Sequence, residues 1–171
     1  MENHIYDALK ILIELSREAQ KNHENQAYLS VKEWAKEYCT IQIMSARGTG
    51  HTEAVRRLIF EDSMNIGYIS FNPQTCNNFK DIYSRRKQES KSYNCGNLEF
   101  CGSFSSNMLN LIRGRNFSNL NAMVFDNSSF LSQKKKDKIY NKVMSSLLPA
   151  LYGGGPRGWK RVKPFFIIFL Q

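Results

Sequence analysis

One glycine-rich segment constrains the architecture of this chain more than any other: Ser45-Ala-Arg-Gly-Thr-Gly-His-Thr52. An apolar run at residues 40–44 precedes it, and an amphipathic segment at about residues 50–62 follows it. This order predicts a strand, a tight turn and a helix. In such a turn, successive backbone N–H groups and the N-terminus of the helix can surround a phosphate group. The alternative is an ordinary glycine-containing turn that binds no ligand.

The segment matches part of the phosphate-loop pattern G-x-x-x-x-G-K-[ST]. Gly50 and Thr52 fit this pattern, whereas Ser45 replaces its first glycine and His51 its lysine. The lysine normally brings a permanent positive charge to the phosphates, and a histidine is shorter and has no permanent charge. Arg47 is therefore expected to supply a charge to the same phosphates. The candidate phosphate-binding residues are Ser45, Arg47, Gly48, Thr49, Gly50, His51 and Thr52.

A second candidate site follows the apolar run at residues 122–125, which ends on Asp126. A carboxylate at the carboxyl end of a parallel strand, next to a phosphate loop, can hold nucleotide-bound magnesium, so Thr52 and Asp126 are the candidate Mg²⁺ ligands. The next residue is Asn127, and an amide can orient water but cannot accept its proton. Together with Arg47, Asp126 and Asn127 are the candidate catalytic residues. The alternative for Asp126 is a capping or turn residue before Ser128.

Short apolar runs alternate with amphipathic segments of helical length from residue 39 onward. The predicted strands are residues 40–44, 66–71, 98–101, 122–125 and 165–170, and the predicted helices are residues 50–62, 73–89, 105–112 and 133–148. This alternation predicts an α/β fold with a mostly parallel sheet and helices on both faces, the three-layer arrangement of P-loop NTPases. Residues 1–38 are predicted to form a helical N-terminal extension, with Ser30 as the cap of its second helix. Residues 39–171 form the predicted P-loop NTPase-like domain.

Positive charge is concentrated in the last quarter of the chain. The net charge is +9, and residues 131–171 contain nine of the 24 lysines and arginines but a single acidic residue. This asymmetry favours a DNA or other polyanion partner. Basic side chains meet phosphates, and an aromatic ring in the predicted loop at residues 153–163 can stack on a base. The candidate nucleic-acid-binding residues are Lys134, Lys135, Lys136, Lys138, Arg157, Trp159, Lys160 and Arg161. A solvated basic face, with Trp159 packed on the sheet edge, is the alternative.

Other features of the chain favour an intracellular protein. The N-terminus MENHIYDALK has no basic-then-apolar signal pattern, and no apolar run approaches the length of a membrane span. The four cysteines form no CxxC pair and are expected to be reduced, mostly buried thiols without a zinc site.

Two further segments resemble the ATPase domain of the large terminase subunit, the viral DNA-packaging motor. They are Arg113-Gly-Arg-Asn-Phe117 and Ala122-Met-Val-Phe-Asp-Asn-Ser-Ser-Phe-Leu131. The resemblance extends over residues 40–170 and includes the glycine-rich segment as the phosphate loop. It implies ATP and Mg²⁺ as cofactors, DNA as partner, and assembly as a homo-oligomer or with a packaging partner, in the cytoplasm or nucleus of a host cell. The chain departs from the family at His51 and Asn127. We also expect no threonine-rich coupling motif after its last strand and no nuclease domain.

These observations predict a terminase-like P-loop protein of viral origin with impaired ATP hydrolysis, associated with DNA packaging or nucleic-acid binding. One alternative is an active packaging ATPase that uses Arg47 and Asp126 with a recruited carboxylate such as Glu53. The other is a regulatory or decoy protein that binds a partner through residues 1–38.

Overall fold

The computed structural model describes residues 3–23, 31–45, 48–89, 95–104, 119–126, 152–155, 158–161 and 164–171, together with residues 132, 134 and 141. The helices are α1 (His4–Asn22), α2 (Val31–Tyr38), α3 (His51–Phe60) and α4 (Pro73–Glu89). The strands are β1 (Thr40–Ile43), β2 (Ile66–Ser70), β3 (Leu98–Ser103), β4 (Ala122–Asp126), β5 (Tyr152–Gly155), β6 (Gly158–Arg161) and β7 (Phe166–Leu170). None of these helices combines the length and apolar character that a membrane span requires.

Five strands form one parallel sheet in the order β1-β7-β4-β2-β3. The predicted α/β class with a parallel sheet is therefore confirmed. β7 separates β1, which leads into the glycine-rich segment, from β4, which ends on Asp126. Because parallel strands present their carboxyl ends at the same edge, the segment and Asp126 lie on one side of the sheet, where open α/β sheets bind ligands.

Side chains of β7 alternate between two hydrophobic clusters. Phe166, Ile168 and Leu170 join a cluster with side chains of α1, α3 and α4. Ile167 and Phe169 join a second cluster with side chains of α2. Successive side chains of a strand point to opposite faces, so described helices cover both faces of the sheet. All five residues of β7 are buried, as the unbroken apolar run predicts.

The described part of the predicted N-terminal extension packs on the sheet. Gln20 of α1 is 4% exposed, and its Nε2 donates to the carbonyl oxygens of Phe165 at 2.9 Å and Tyr38 at 3.2 Å. The Phe165 N–H donates to Gln20 Oε1 at 3.4 Å. One buried amide therefore connects α1, the end of α2 and the start of β7.

At the start of two helices, an asparagine side chain accepts hydrogen bonds from the first N–H groups. Asn3 Oδ1 accepts from the backbone of Ile5 and Tyr6, each at 3.1 Å, and so caps α1. Asn72 Oδ1 accepts from the Gln74 N–H at 2.9 Å, just before α4. Pro73 is the first residue of α4, where its restricted φ suits a helix and its missing N–H removes no helical hydrogen bond.

The prediction of a loop at residues 153–163 was wrong. β5 and β6 pair as an antiparallel hairpin, with Gly155 opposite Gly158. Three consecutive glycines argued against a strand, since glycine has no side chain to pack there. However, β5 and β6 pair through backbone hydrogen bonds, which glycine can make. Two residues separate the strands, which is a common spacing in hairpins. The predicted helices at residues 105–112 and 133–148 and the proposed cap Ser30 fall outside the described residues, apart from positions 134 and 141.

All four cysteines are free thiols, and Cys39, Cys76 and Cys101 are buried, as predicted. The Cys101 thiol donates to the Cys76 carbonyl oxygen at 3.5 Å. If this proton turns to the Cys76 sulfur instead, the hydrogen bond lowers the pKa of Cys76, against the opposing effect of burial.

Replacing Gln20 tests the connection between α1 and the sheet. We expect Gln20→Ala to lower the free energy of unfolding by about 2 kcal/mol, because the buried Phe165 carbonyl group loses the hydrogen bond from the Gln20 amide. Denaturant titration measures this loss. Gln74→Ala is the matched control, since among the described residues the Gln74 amide bonds to Asn78 alone, at the exposed surface. Equal losses in the two variants would contradict the structural role assigned to Gln20.

Candidate functional site

A cleft of about 790 Å³ lies at the carboxyl ends of the central strands. It brings together seven of the residues that the sequence analysis selects: Ser45, Gly48, Thr49, Gly50, His51, Thr52 and Asp126. Asn72 and Thr75 border it near the start of α4, and Gln171 borders it after β7. The glycine-rich segment and the end of β4 thus form one site.

The backbone of the segment turns through two left-handed glycines. Gly48 has φ of 78° and Gly50 has φ of 93°, values that side-chain-bearing residues rarely adopt. Gly50 is the N-cap of α3 and brings no capping side chain. The first N–H groups of a helix have no acceptor within the helix, so this end of α3 offers backbone donors and the positive end of the helix dipole to an anion.

Asn3 holds this loop against α1. Its Nδ2 donates to the Gly50 carbonyl oxygen at 3.1 Å, while its Oδ1 caps α1. This contact was not predicted from the sequence. An asparagine before an amphipathic helix signals a cap, but no local pattern indicates a second contact 47 residues away.

His51 links the loop to the acidic strand end. Its Nε2 lies 2.5 Å from Ser45 Oγ, and its Nδ1 lies 3.4 Å from Asp126 Oδ1. Ser45 Oγ is also 2.9 Å from Thr49 Oγ1. Both ring nitrogens of His51 therefore have a neighbour in this network, and the imidazole stands where the pattern has its lysine.

Tyr68 is the second residue that the sequence analysis missed. Its hydroxyl donates to Asp126 Oδ2. Burial, together with the charge of Asp126, raises the pKa of Tyr68 well above its ordinary value. A tyrosine inside an apolar strand signals that its hydroxyl needs a partner, but only the pairing of β2 with β4 identifies Asp126 as that partner.

The described lining of the cleft is acidic rather than basic. It includes Glu53 and Asp126 but no lysine or arginine. Both oxygens of Glu53 accept from the Arg56 guanidinium, with Arg56 Nε 2.7 Å from Glu53 Oε2. The carboxylate proposed as a replacement general base is thus engaged in an ion pair.

The remaining predicted site residues are either outside the described residues or in other parts of the structure. Arg47, Asn127, Lys135, Lys136, Lys138 and Arg157 fall outside the described residues. Lys134 is exposed, and Trp159, Lys160 and Arg161 belong to β6 of the hairpin. Their assignment to nucleic-acid binding stays a prediction.

Alanine substitutions at the two glycines test the loop geometry. In each variant the alanine must adopt a left-handed backbone conformation, which lowers the free energy of unfolding by about 1–2 kcal/mol. We expect Gly50→Ala to lose more stability than Gly48→Ala, because a Cβ at Gly50 would lie 3.0 Å from Asn3 Nδ2, whereas nothing lies within 4 Å at Gly48. Denaturant titration of both variants measures the difference. A larger loss for Gly48→Ala would contradict the contact between Asn3 and the loop.

Comparison with known proteins assigns this chain to no family. The chain matches no protein-family model, and no curated protein is significantly similar to it. What the site offers a ligand is the N-terminus of α3, the hydroxyls of Ser45, Thr49 and Thr52, the His51 imidazole and two carboxylates.

Proposed function

We propose that this protein binds the phosphate groups of a nucleoside triphosphate in the cleft and hydrolyses the nucleotide poorly, if at all. The observation that carries the proposal is the loop between β1 and α3, with left-handed glycines at positions 48 and 50, at the same sheet edge as Asp126. The N-terminus of α3 supplies backbone donors for a phosphate. Ser45, Thr49 and Thr52 add hydroxyl groups around the same space.

The resemblance to the terminase ATPase domain supports a viral origin and a role associated with DNA packaging or nucleic-acid binding. It supplies an order of segments along the chain: the phosphate loop, the Arg-Gly motif at residues 113–117, the acidic strand end and a final apolar strand. The parallel sheet is compatible with this order, since it places the ends of β1 and β4 on either side of β7.

Three features explain why hydrolysis is proposed to be inefficient. His51 lacks the permanent charge of a lysine, and its ring is engaged with Ser45. Asn127 cannot take a proton from an attacking water. The active-ATPase alternative would recruit Glu53, but this carboxylate would first have to leave its ion pair with Arg56.

Nucleotide binding is tested by calorimetric titration of the full chain with ATP. We expect His51→Lys to raise the affinity about tenfold, because a charge-assisted hydrogen bond to phosphate is roughly twice as strong as a neutral one. Asn78→Lys is the control, since it adds the same charge at an exposed position of α4 outside the cleft lining. No binding by either wild type or His51→Lys would contradict the proposal.

Hydrolysis is tested by phosphate release with Mg²⁺, in the presence and absence of DNA. We expect turnover at background level in wild type, because Asn127 cannot take the proton of an attacking water and Glu53 is paired with Arg56. Robust Mg²⁺-dependent turnover that Asp126→Asn abolishes would favour the active-ATPase alternative.

Nucleic-acid binding is a second proposed role, carried by the charge of residues 131–171. We expect alanines at Lys134, Lys135 and Lys136 to weaken DNA binding equally for different sequences. The slope of log affinity against log salt should fall by about 1 for each lysine that no longer meets a phosphate. Fluorescence anisotropy at several salt concentrations measures both effects.

The control is a triple alanine variant of the exposed Lys21, Lys80 and Arg85, which removes the same charge elsewhere. Binding independent of salt, or an equal loss in the control, would contradict this role.

A further inference from the structure

Helix α1 carries apolar side chains on two opposite faces. Leu9 and Ile13 are buried in the cluster that α1 shares with α3 and the sheet. Ile11 and Leu15 lie on the other side of the helix and are 64% and 56% exposed. Residues four apart are neighbours on a helix surface, so this pair forms one apolar patch that the described part of the chain leaves in contact with water.

The patch belongs to a row of residues with the spacing of a coiled-coil seam. Successive members of the row are separated alternately by four and three residues, which keeps them on one side of a helix. We call this row the α1 seam, and it consists of His4, Ala8, Ile11, Leu15, Glu18 and Asn22. Leu12 and Ala19, both half-buried, lie along one edge of the seam and widen its apolar strip. The seam is therefore apolar at its centre and polar at both ends.

The α1 seam is turned away from the described neighbours of the helix. At the end of α2, the Tyr38 carbonyl oxygen accepts a hydrogen bond from Ser16 Oγ at 2.5 Å. Just after α3, Asp62 Oδ1 lies 3.3 Å from Lys10 Nζ. The buried side chains of α1 face the sheet, on the side opposite to the seam. A second helix can therefore approach the seam without displacing any of these contacts.

The charges beside the seam favour a second copy of α1 in the antiparallel orientation. When two such helices pair around residue 13, Ile11 of each copy packs next to Leu15 of the other. The exposed Asp7 of each copy then lies beside the exposed Lys21 of the other. In the parallel orientation, Asp7 would face Asp7 and Lys21 would face Lys21. Opposite charges across an interface attract and like charges repel, so of these two orientations only the antiparallel one is complementary.

Glu14 lies near the centre of the antiparallel pairing, where it would approach Glu14 of the second copy. Its Oε1 is 2.5 Å from Arg17 Nη1 of the same helix. Each of the two central carboxylates thus brings a compensating cation from its own chain, which reduces the repulsion between them.

We propose that the α1 seam is an interface between two copies of this chain, packed antiparallel about a twofold axis near residue 13. Such an interface uses the same patch on both copies. Burial of its apolar centre drives the association, and the two contacts between Asp7 and Lys21 set the orientation. Because Asn3 at the start of α1 also holds Gly50, the glycine-rich loops of the two copies lie at opposite ends of the interface. The proposal does not depend on nucleotide binding.

Analytical ultracentrifugation of the full chain measures the association. We expect wild type to form dimers with a Kd of about 100 μM or below, because a single pair of helices makes a small interface of the transient kind. Ile11→Glu should raise this Kd about tenfold or more, since it would bury a charge without a partner next to Leu15 of the second copy. Ile11 is exposed in a single copy, so the variant should fold as wild type does.

Ile82→Glu is the matched control for the apolar contact. It places the same charge at another exposed isoleucine, on α4 and away from the α1 seam. This variant should dimerise with the Kd of wild type.

The charge contacts are tested with Asp7→Lys and Lys21→Asp. Each variant alone would bring like charges together at both ends of the seam and should stay monomeric. An equimolar mixture restores opposite charges at both ends and should form mixed dimers. Asp7 and Lys21 also suit the dipole of their own helix, in its first and last turn, but a loss of helix stability would not be repaired by mixing. Circular dichroism verifies that each variant keeps its helices.

Three results would overturn the proposal. The first is wild type remaining monomeric up to about 500 μM, well above the expected Kd. The second is an Ile11→Glu variant that dimerises as wild type does. The third is a mixture of folded Asp7→Lys and Lys21→Asp variants that forms no dimer while wild type does. The first two results come from wild type and Ile11→Glu, so they decide the proposal even if a charge variant does not fold.

Discussion

The cleft depends on the parallel pairing of β7 with β1 on one side and β4 on the other. These two ladders set the distance between the glycine-rich loop and the acidic strand end. The backbone of Gln171 extends the pairing with β1 beyond the strand, since its N–H donates to the Ile43 carbonyl oxygen and its own carbonyl accepts from the Ser45 N–H, each at 2.9 Å. Because every residue of β7 is buried, the strand cannot shift its register without exposing apolar side chains. The first residue of the loop is therefore anchored directly to the core.

Within the cleft, polar groups satisfy one another in a continuous network. It runs from Ser45 through His51 to Asp126, and from Asp126 to Tyr68. Asp126 is 2% exposed, and a buried carboxylate is tolerated only when neighbouring donors compensate for its lost hydration. Tyr68 provides such a donor, and the imidazole of His51 is next to the other oxygen. The same groups that make the acidic residue stable in the core also restrict what it can bind.

Much of the fold was predictable because its signals are local. The helix at residues 73–89 has the predicted bounds, since Asn72 and Pro73 mark its start in the sequence itself. The five strands of the parallel sheet lie within one or two residues of their predicted positions, because short apolar runs between amphipathic segments are typical of buried parallel strands. The hairpin of β5 and β6 was missed because a run of three glycines is not typical of a strand.

By itself, the sequence determined the α/β class, the strand that leads into a glycine-rich turn, and the candidate residues from Ser45 to Thr52 and at Asp126. It did so because strand runs, glycines and helix starts are properties of neighbouring residues. Only the tertiary structure decided that Tyr68 reaches Asp126, that Asn3 holds Gly50 and that Gln20 bridges to β7. These contacts join residues 47 or more positions apart. They depend on strand order and register, which no local pattern specifies.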